Sequence, residues 1–372
     1  MRAYRAAFAA HAPSRVAYSA KACALTGVLR ALHPQWVSAA SLGELSAAVR
    51  AGVPASRCWL HGNAKTQREI DAAVRLGATI VIDGEHEPER VARAANGRRR
   101  RVWLRVLPEV VADTHAHLRT SGEQKFGAPL TARRGRSLAL DIARNRQLRL
   151  TGIHAHIGSQ ITDMDAFTRV ARELASFARD LRADGVAVTE VCVGGGLAAP
   201  ETGGDLDVGA YADAVAGTVH DLLPDANVVV EPGRSLVARA AVALYRVQDR
   251  KTTVSGRVFL AVDGGMGDNI RPSLYGARYE ATLAEGLGRE RERVTIAGAY
   301  CEAGDVLIDE ASLPRAGVDD LVVVPSMGAY SLAMASNYNL RPRPAVVLVD
   351  RRRARLIRRR ETERDLFRLE RR

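Results

Sequence analysis

Val16-Ala17-Tyr18-Ser19-Ala20-Lys21 has the composition of a buried strand that carries one lysine to its C-terminal end. A lysine in that position can be desolvated, and a desolvated amine is a nucleophile. A lone lysine after a strand is usually a solvated charge, so its meaning depends on the rest of the chain. The strand-then-helix pattern recurs down the sequence. Strand-like runs occupy residues 16–20, 36–40, 58–60, 79–82, 102–106, 152–157, 191–193 and 227–230. Between them apolar residues fall at three- and four-residue steps, such as Leu45, Ala48 and Val49 after Ser41, and Ile70, Ala73 and Val74 after Thr66. Eight such repeats predict an α/β fold, a (β/α)8 TIM-like barrel, in which reacting groups gather at the C-terminal strand ends. Lys21, His61, Arg105, His156, Gly194 and Glu231 all fall at or near such ends. A doubly wound open sheet is the alternative, but signals spread over so many strand ends fit a closed barrel better.

After about residue 240 the rhythm changes to strand-like runs without regular helices, at 241–247, 258–262, 294–296, 321–324 and 345–349. The expected division is a barrel over 12–240 and a β-rich domain over 241–372, joined by residues 1–11.

A chain of 372 residues, 47% hydrophobic and 26% charged, can bury at least one full core and is expected to divide into two domains. It has neither an apolar run long enough for a membrane span nor a signal-peptide-like start, so a cytoplasmic protein with no membrane partner is expected. Cys23, Cys58, Cys192 and Cys301 are widely spaced, which suggests neither a disulfide framework nor a zinc site. The net charge of +12 is local: residues 351–372 hold eleven arginines against four acids. No aromatic platform is interleaved there, so a solvated surface is expected and not a nucleic-acid site. Arg98 to Arg101 receives the same reading.

Gly194-Gly195-Gly196 follows a strand and could offer bare amides to a phosphate; a tight strand-helix turn explains it equally well. Glu231-Pro232-Gly233-Arg234 places a carboxylate at a strand end, then a turn, then an arginine able to hold phosphate oxygens. In the stretch from His154 to Gln160, His156 could lie over a planar ring and Ser159 could donate to phosphate. His154 shares its strand face, but with no Cys, Asp or Glu completing a ligand set, no metal site is expected. Arg271 and Tyr275 are spaced to engage a carboxylate, and Cys301 beside Glu302 could donate a proton.

In this order the motifs resemble the fold-type III pyridoxal-phosphate decarboxylases, which share an alanine racemase-like barrel, and among them the group acting on meso-diaminopimelate. The resemblance extends to His61-Gly62-Asn63, Lys125-Phe126-Gly127, Ser336-Asn337-Tyr338-Asn339 and Arg341-Pro342-Arg343-Pro344. It implies a pyridoxal 5'-phosphate cofactor bound covalently by Lys21, stacked by His156 and met at its ring nitrogen by Glu231. It implies phosphate contacts from Ser159, Gly194, Gly195, Gly196, Gly233, Arg234 and Tyr330. Arg234, Arg271, Tyr275, Glu302 and Tyr330 would hold the amino-acid substrate. It further implies a homodimer with shared active sites, in which Cys301 of the other subunit assists protonation.

Against the family pattern, Ala303 stands where serine is usual, Ser38 where an acid is usual and Leu107 where asparagine is usual. These departures motivate a rival substrate: ornithine, lysine, arginine or a carrier-bound glutamyl group. A silent homologue that binds a protein partner is the reading from another class, opposed by the joint presence of Lys21, His156, Glu231, Arg234, Cys301 and Tyr330. Family members also reach the lysine strand after a longer N-terminal stretch, so either a late start or a β domain lacking one strand is expected.

Overall fold

Eight parallel strands close on themselves in the computed structural model, which describes residues 1–110, 124–130, 133–199, 206–351 and 353–371. They are β1 (Ser14–Ser19), β2 (Trp36–Ala39), β3 (Cys58–Leu60), β4 (Thr79–Ile82), β5 (Arg100–Leu107), β6 (Leu148–His154), β7 (Glu190–Cys192) and β8 (Asn227–Val230). Each pairs with its neighbour in chain order, and β1 pairs with β8 to close the ring. The barrel read from the sequence is the barrel observed.

The helices between the strands follow from their caps and apolar stripes. The first four are α1 (Arg2–Ala9), α2 (Thr26–Leu32), α3 (Leu42–Arg50) and α4 (Gln67–Leu76), and α4 shows the pattern most clearly. Thr66 and Glu69 cap α4 reciprocally, and Gly77 ends it in the left-handed conformation. Ile70, Ala73 and Val74 are buried as expected; on α3, Leu45 and Ala48 are buried but Val49 faces outward.

The barrel interior is filled from below by an indole stack. Trp36, Trp59 and Trp103 lie with ring centroids 5.2 Å and 4.7 Å apart, packed among Ala17, Val81, Cys192 and Val229. Gly152 makes room for this stack, because a Cβ there would lie 2.4 Å from Trp103 Nε1.

Contacts divide the chain into one unit of Met1–Ala198 with Leu206–Ser235, and a second of Ala199–Asp205 with Leu236–Arg372. Residues 1–11, grouped with the β-rich domain in the sequence reading, instead form α1 and pack on the barrel. Tyr4 and Phe8, four apart on one face, are buried there; Phe8 meets Tyr211 edge-on and Tyr4 hydroxyl lies 2.7 Å from Ser235 Oγ.

The second unit is built on a six-stranded sheet. Its strands are β9 (Ala243–Thr252), β10 (Val258–Val262), β11 (Thr282–Leu283), β12 (Arg291–Ala297), β13 (Val306–Pro314) and β14 (Leu321–Val324), in the order β11-β14-β9-β10-β12-β13. All pairings are antiparallel except β10 with β12. A separate hairpin, β15 (Val346–Asp350) with β16 (Arg353–Arg358), carries the arginine-rich segment. Arg343 and Arg358 bond Glu361, and Arg359 bonds Asp365 with two nitrogens at 2.6 Å, so part of that charge is matched locally. Arg352 and Arg372 lie outside the described residues. Among the described residues no helix is long and apolar enough to cross a membrane.

Candidate active site

The C-terminal ends of the barrel strands carry the chemistry. Lys21 sits in a single turn of 3-10 helix, Ala20–Ala22, directly after β1; its side chain is exposed between two buried alanines. Glu231 follows β8 and is buried. Its two oxygens face two imidazoles: His61 Nε2 lies 3.0 Å from Oε1, and His154 Nε2 lies 3.4 Å from Oε2. The two rings are 4.6 Å apart.

Burial opposes the charge on Glu231, but the two histidines outweigh it and hold the carboxyl well below the usual range. Burial also lowers His154 to about 4, despite the attraction of Glu231. The result is a dry carboxylate flanked by a neutral imidazole on one side. The sequence reading weighed His154 with His156 and found no acid beside that pair; the fold instead sets His154 beside His61 and Glu231, whose donor atoms all lie within 4.8 Å of one another. The 3.0 Å contact of His61 with Glu231 is a direct hydrogen bond, with no atom between them.

His156, two residues beyond β6, is half-buried, and burial followed by the charges of Lys21 and Arg105 drives its pKa well below that of free histidine. Gly195 N–H donates to His156 Nδ1 at 3.3 Å, which assigns the acceptor role to Nδ1 and fixes the ring.

The glycine triplet is required by close approach as well as by its turn. A Cβ on Gly194 would lie 2.7 Å from Ala155 O, one on Gly195 2.4 Å from Glu231 O, and one on Gly196 2.6 Å from Gly158 O. The triplet therefore lies against both the His156 segment and the Glu231 turn. Arg234 Nε donates to Ser159 Oγ at 3.3 Å, and Pro232 O accepts from Ser19 N–H at 3.0 Å, which ties the Glu231-to-Arg234 turn to the end of β1. Amides, a hydroxyl and a guanidinium thus converge beside a lysine and a buried carboxylate. That donor set fits pyridoxal phosphate: an amine for its aldehyde, an anionic acceptor for a ring N–H, an aromatic face, and an anion seat.

Behind this layer lies an ionic chain that the sequence reading missed. Arg105, buried over the Phe126 ring at 4.2 Å, faces Asp83 at 3.7 Å; Asp83 Oδ1 accepts from Gly127 N–H at 2.8 Å. Lys65 bonds Glu87 at 3.0 Å, and Glu87 accepts from Asp83 N–H at 2.7 Å. Each acid lies far in sequence from its cation, so no local spacing announces the pairs. The motif residues His61-Gly62-Asn63 and Lys125-Phe126-Gly127 were the available signal.

The remaining predicted residues belong to the second unit. Arg271 is buried, its guanidinium bonded to the Tyr279 hydroxyl. Cys301 is exposed, and its N–H donates to Asn339 Oδ1 at 2.9 Å. Glu302 Oε2 accepts from Tyr338 O–H at 3.1 Å, and Tyr338 stacks on Tyr300. Asp305, not singled out in the sequence, braces this turn by accepting from Tyr300 N–H and Met266 N–H at 2.8 Å and 2.6 Å. Tyr275 ends a short helix, Arg271–Tyr275, and Tyr330 takes a positive φ of 60°.

The buried pair sets a pH dependence. A folded-state pKa of about 4 for His154 lies below the unfolded value near 6.5, so the unfolded chain binds more protons between them. The stability that neutral His154 contributes is full above about pH 6.5 and is lost as pH falls toward 4; the shift corresponds to roughly 3 kcal/mol. Glu231, with its pKa depressed, contributes stability present above its unfolded value near 4.3 and lost on further acidification. The melting temperature of the barrel is expected to fall from pH 6.5 to 4.5, and His154→Gln to flatten that slope. Parallel wild-type and variant curves would contradict the assignment.

Residues 1–238 match the family model for the pyridoxal-dependent decarboxylase pyridoxal-binding domain. A diaminopimelate decarboxylase of Actinosynnema pretiosum subsp. auranticum is 41% identical over 371 residues, covering 96% of this chain and 83% of the relative. That of Bacillus subtilis is 36% identical over 375 residues, covering 96% and 85%. A crystal structure of diaminopimelate decarboxylase from M. jannaschii in complex with L-lysine superposes with a TM-score of 0.92 at 30% identity, covering 98% of this chain and 88% of that one. A barrel whose lysine, carboxylate and glycine turn meet at one end, in a chain matched over nearly its whole length, belongs to the diaminopimelate decarboxylase family of pyridoxal-phosphate-dependent decarboxylases.

Proposed function

We propose that the chain removes CO2 from meso-2,6-diaminopimelate to give L-lysine, the last step of lysine biosynthesis, as a cytoplasmic homodimer with shared active sites. The observation that supports this most directly is the meeting of Lys21, the histidine-held Glu231 and the Gly194-to-Gly196 turn at one barrel end.

When bound, pyridoxal phosphate supplies an electron sink for the pair left on the substrate carbon as CO2 departs. Lys21 Nζ is the amine that would hold the cofactor aldehyde. Glu231 stays ionised and would accept a hydrogen bond from a ring N–H of the cofactor, which would keep that nitrogen protonated and favour withdrawal of electrons. His156, its ring set by Gly195 N–H, would cover a face of the cofactor ring. Ser159, Gly194, Gly195, Gly196, Gly233, Arg234 and Tyr330 seat the phosphate. Arg234, Arg271, Tyr275, Glu302 and Tyr330 hold the charged ends of the substrate, and Cys301, contributed across the dimer interface, returns a proton to the carbon that lost CO2.

The test is a product assay with purified protein, added pyridoxal phosphate and meso-diaminopimelate, lysine and CO2 being quantified. Equimolar lysine and CO2 are expected. Release of neither product by cofactor-loaded enzyme that decarboxylates ornithine or arginine would move the substrate to the rival group that Ala303 suggests.

A further inference from the structure

The opposite, N-terminal end of the barrel holds a second polar cleft of about 360 Å³, lined by Arg15, Arg101, Arg149, Glu190, Asp225 and Asn227 among others. Its chemistry is set by strand register. Arg101 and Arg149 are direct partners across β5 and β6, and Glu190 and Asn227 across β7 and β8. Two cations side by side on adjacent strands repel each other unless something lies between them.

Glu190 does not neutralise this end. Its buried carboxylate is already occupied by Arg15, by Arg101 Nη2 at 2.8 Å, by Trp103 Nε1 at 2.9 Å and by Thr151 Oγ1 at 3.2 Å. Asp225 is bonded to Arg182 at 2.7 Å. Among the described residues Arg149 is left as the cation in excess. Asn227 adds a second mark, since its Oδ1 is buried with no hydrogen-bond partner among those residues. A buried acceptor in that state is costly unless a ligand or water donates to it.

We propose that this cleft is a binding site for a small oxyanion that also carries a donor hydrogen, of which hydrogen phosphate is the simplest. Arg149 and Arg101 hold the anionic oxygens, and Asn227 Oδ1 accepts the O–H. The site lies across the barrel from the Lys21 end, with the indole stack between them, so it is a separate seat from that of the cofactor phosphate.

The experiment uses the cofactor-loaded enzyme, so that the catalytic phosphate seat is filled. Melting temperature is followed by calorimetry against inorganic phosphate, with chloride at matched ionic strength and succinate, an anion without a donor at neutral pH, as the other arms. Phosphate is expected to raise the wild-type melting temperature saturably and more than either control, because a ligand bound only by the folded state stabilises it. Arg149→Ala is expected to weaken that response roughly tenfold in concentration, the effect of losing one charge-assisted contact. Arg149 is exposed, so the variant should fold and turn over substrate like the wild type. Equal phosphate responses in wild type and variant, or a response to chloride as large as to phosphate, would overturn the proposal.

Discussion

Replacing Lys21 with alanine is expected to lower kcat by on the order of 10³-fold or more, since it removes the amine that follows β1 at the head of the site. Borohydride should then fix no cofactor to the chain, whereas it should fix one per wild-type subunit. Lys21 is exposed within its turn, so the melting temperature of the cofactor-free protein should hardly change. Loss of activity with a large drop in melting temperature would point to misfolding, and near-normal turnover would remove Lys21 from the mechanism.

Glu231→Gln is the second large effect. The substitution keeps the shape and one acceptor oxygen but turns the other into a donor and removes the charge that His61 and His154 face. A kcat lower by about 10² to 10³ is expected, the range found when a preorganised electrostatic contact is lost. Cofactor affinity should change less, because Ser159, Arg234 and the glycine turn are untouched. Full cofactor occupancy with kcat within threefold of wild type would show that the Glu231 charge is not used in the reaction.

The barrel was legible because parallel strands buried on both faces read as short, continuous apolar runs. All eight stand where such runs occur, three with the bounds read from the sequence and five with an end shifted by one to four residues. The second unit was less legible. β13 was missed because Asp309 and Glu310 interrupt its apolar run, with Glu310 at φ 51°, and β11 is only two residues long. α1 carried a usable signal in Tyr4 and Phe8, but one turn of spacing was too little to separate it from an extended arm. In the site, the residues beside strand ends were found, whereas which of them meet was not. His61 and Glu231 are 170 residues apart, and only closure of the ring brings them together.

The indole stack has a consequence for observation. Trp36, Trp59 and Trp103 are the only three tryptophans in the chain, and all lie in the barrel. Fluorescence excited at the red edge of protein absorption therefore reports one unit and is blind to the sheet of the other. A chemical denaturation followed by that emission measures the barrel alone, and any offset from a far-ultraviolet dichroism curve isolates the unfolding of the β-rich unit without a label.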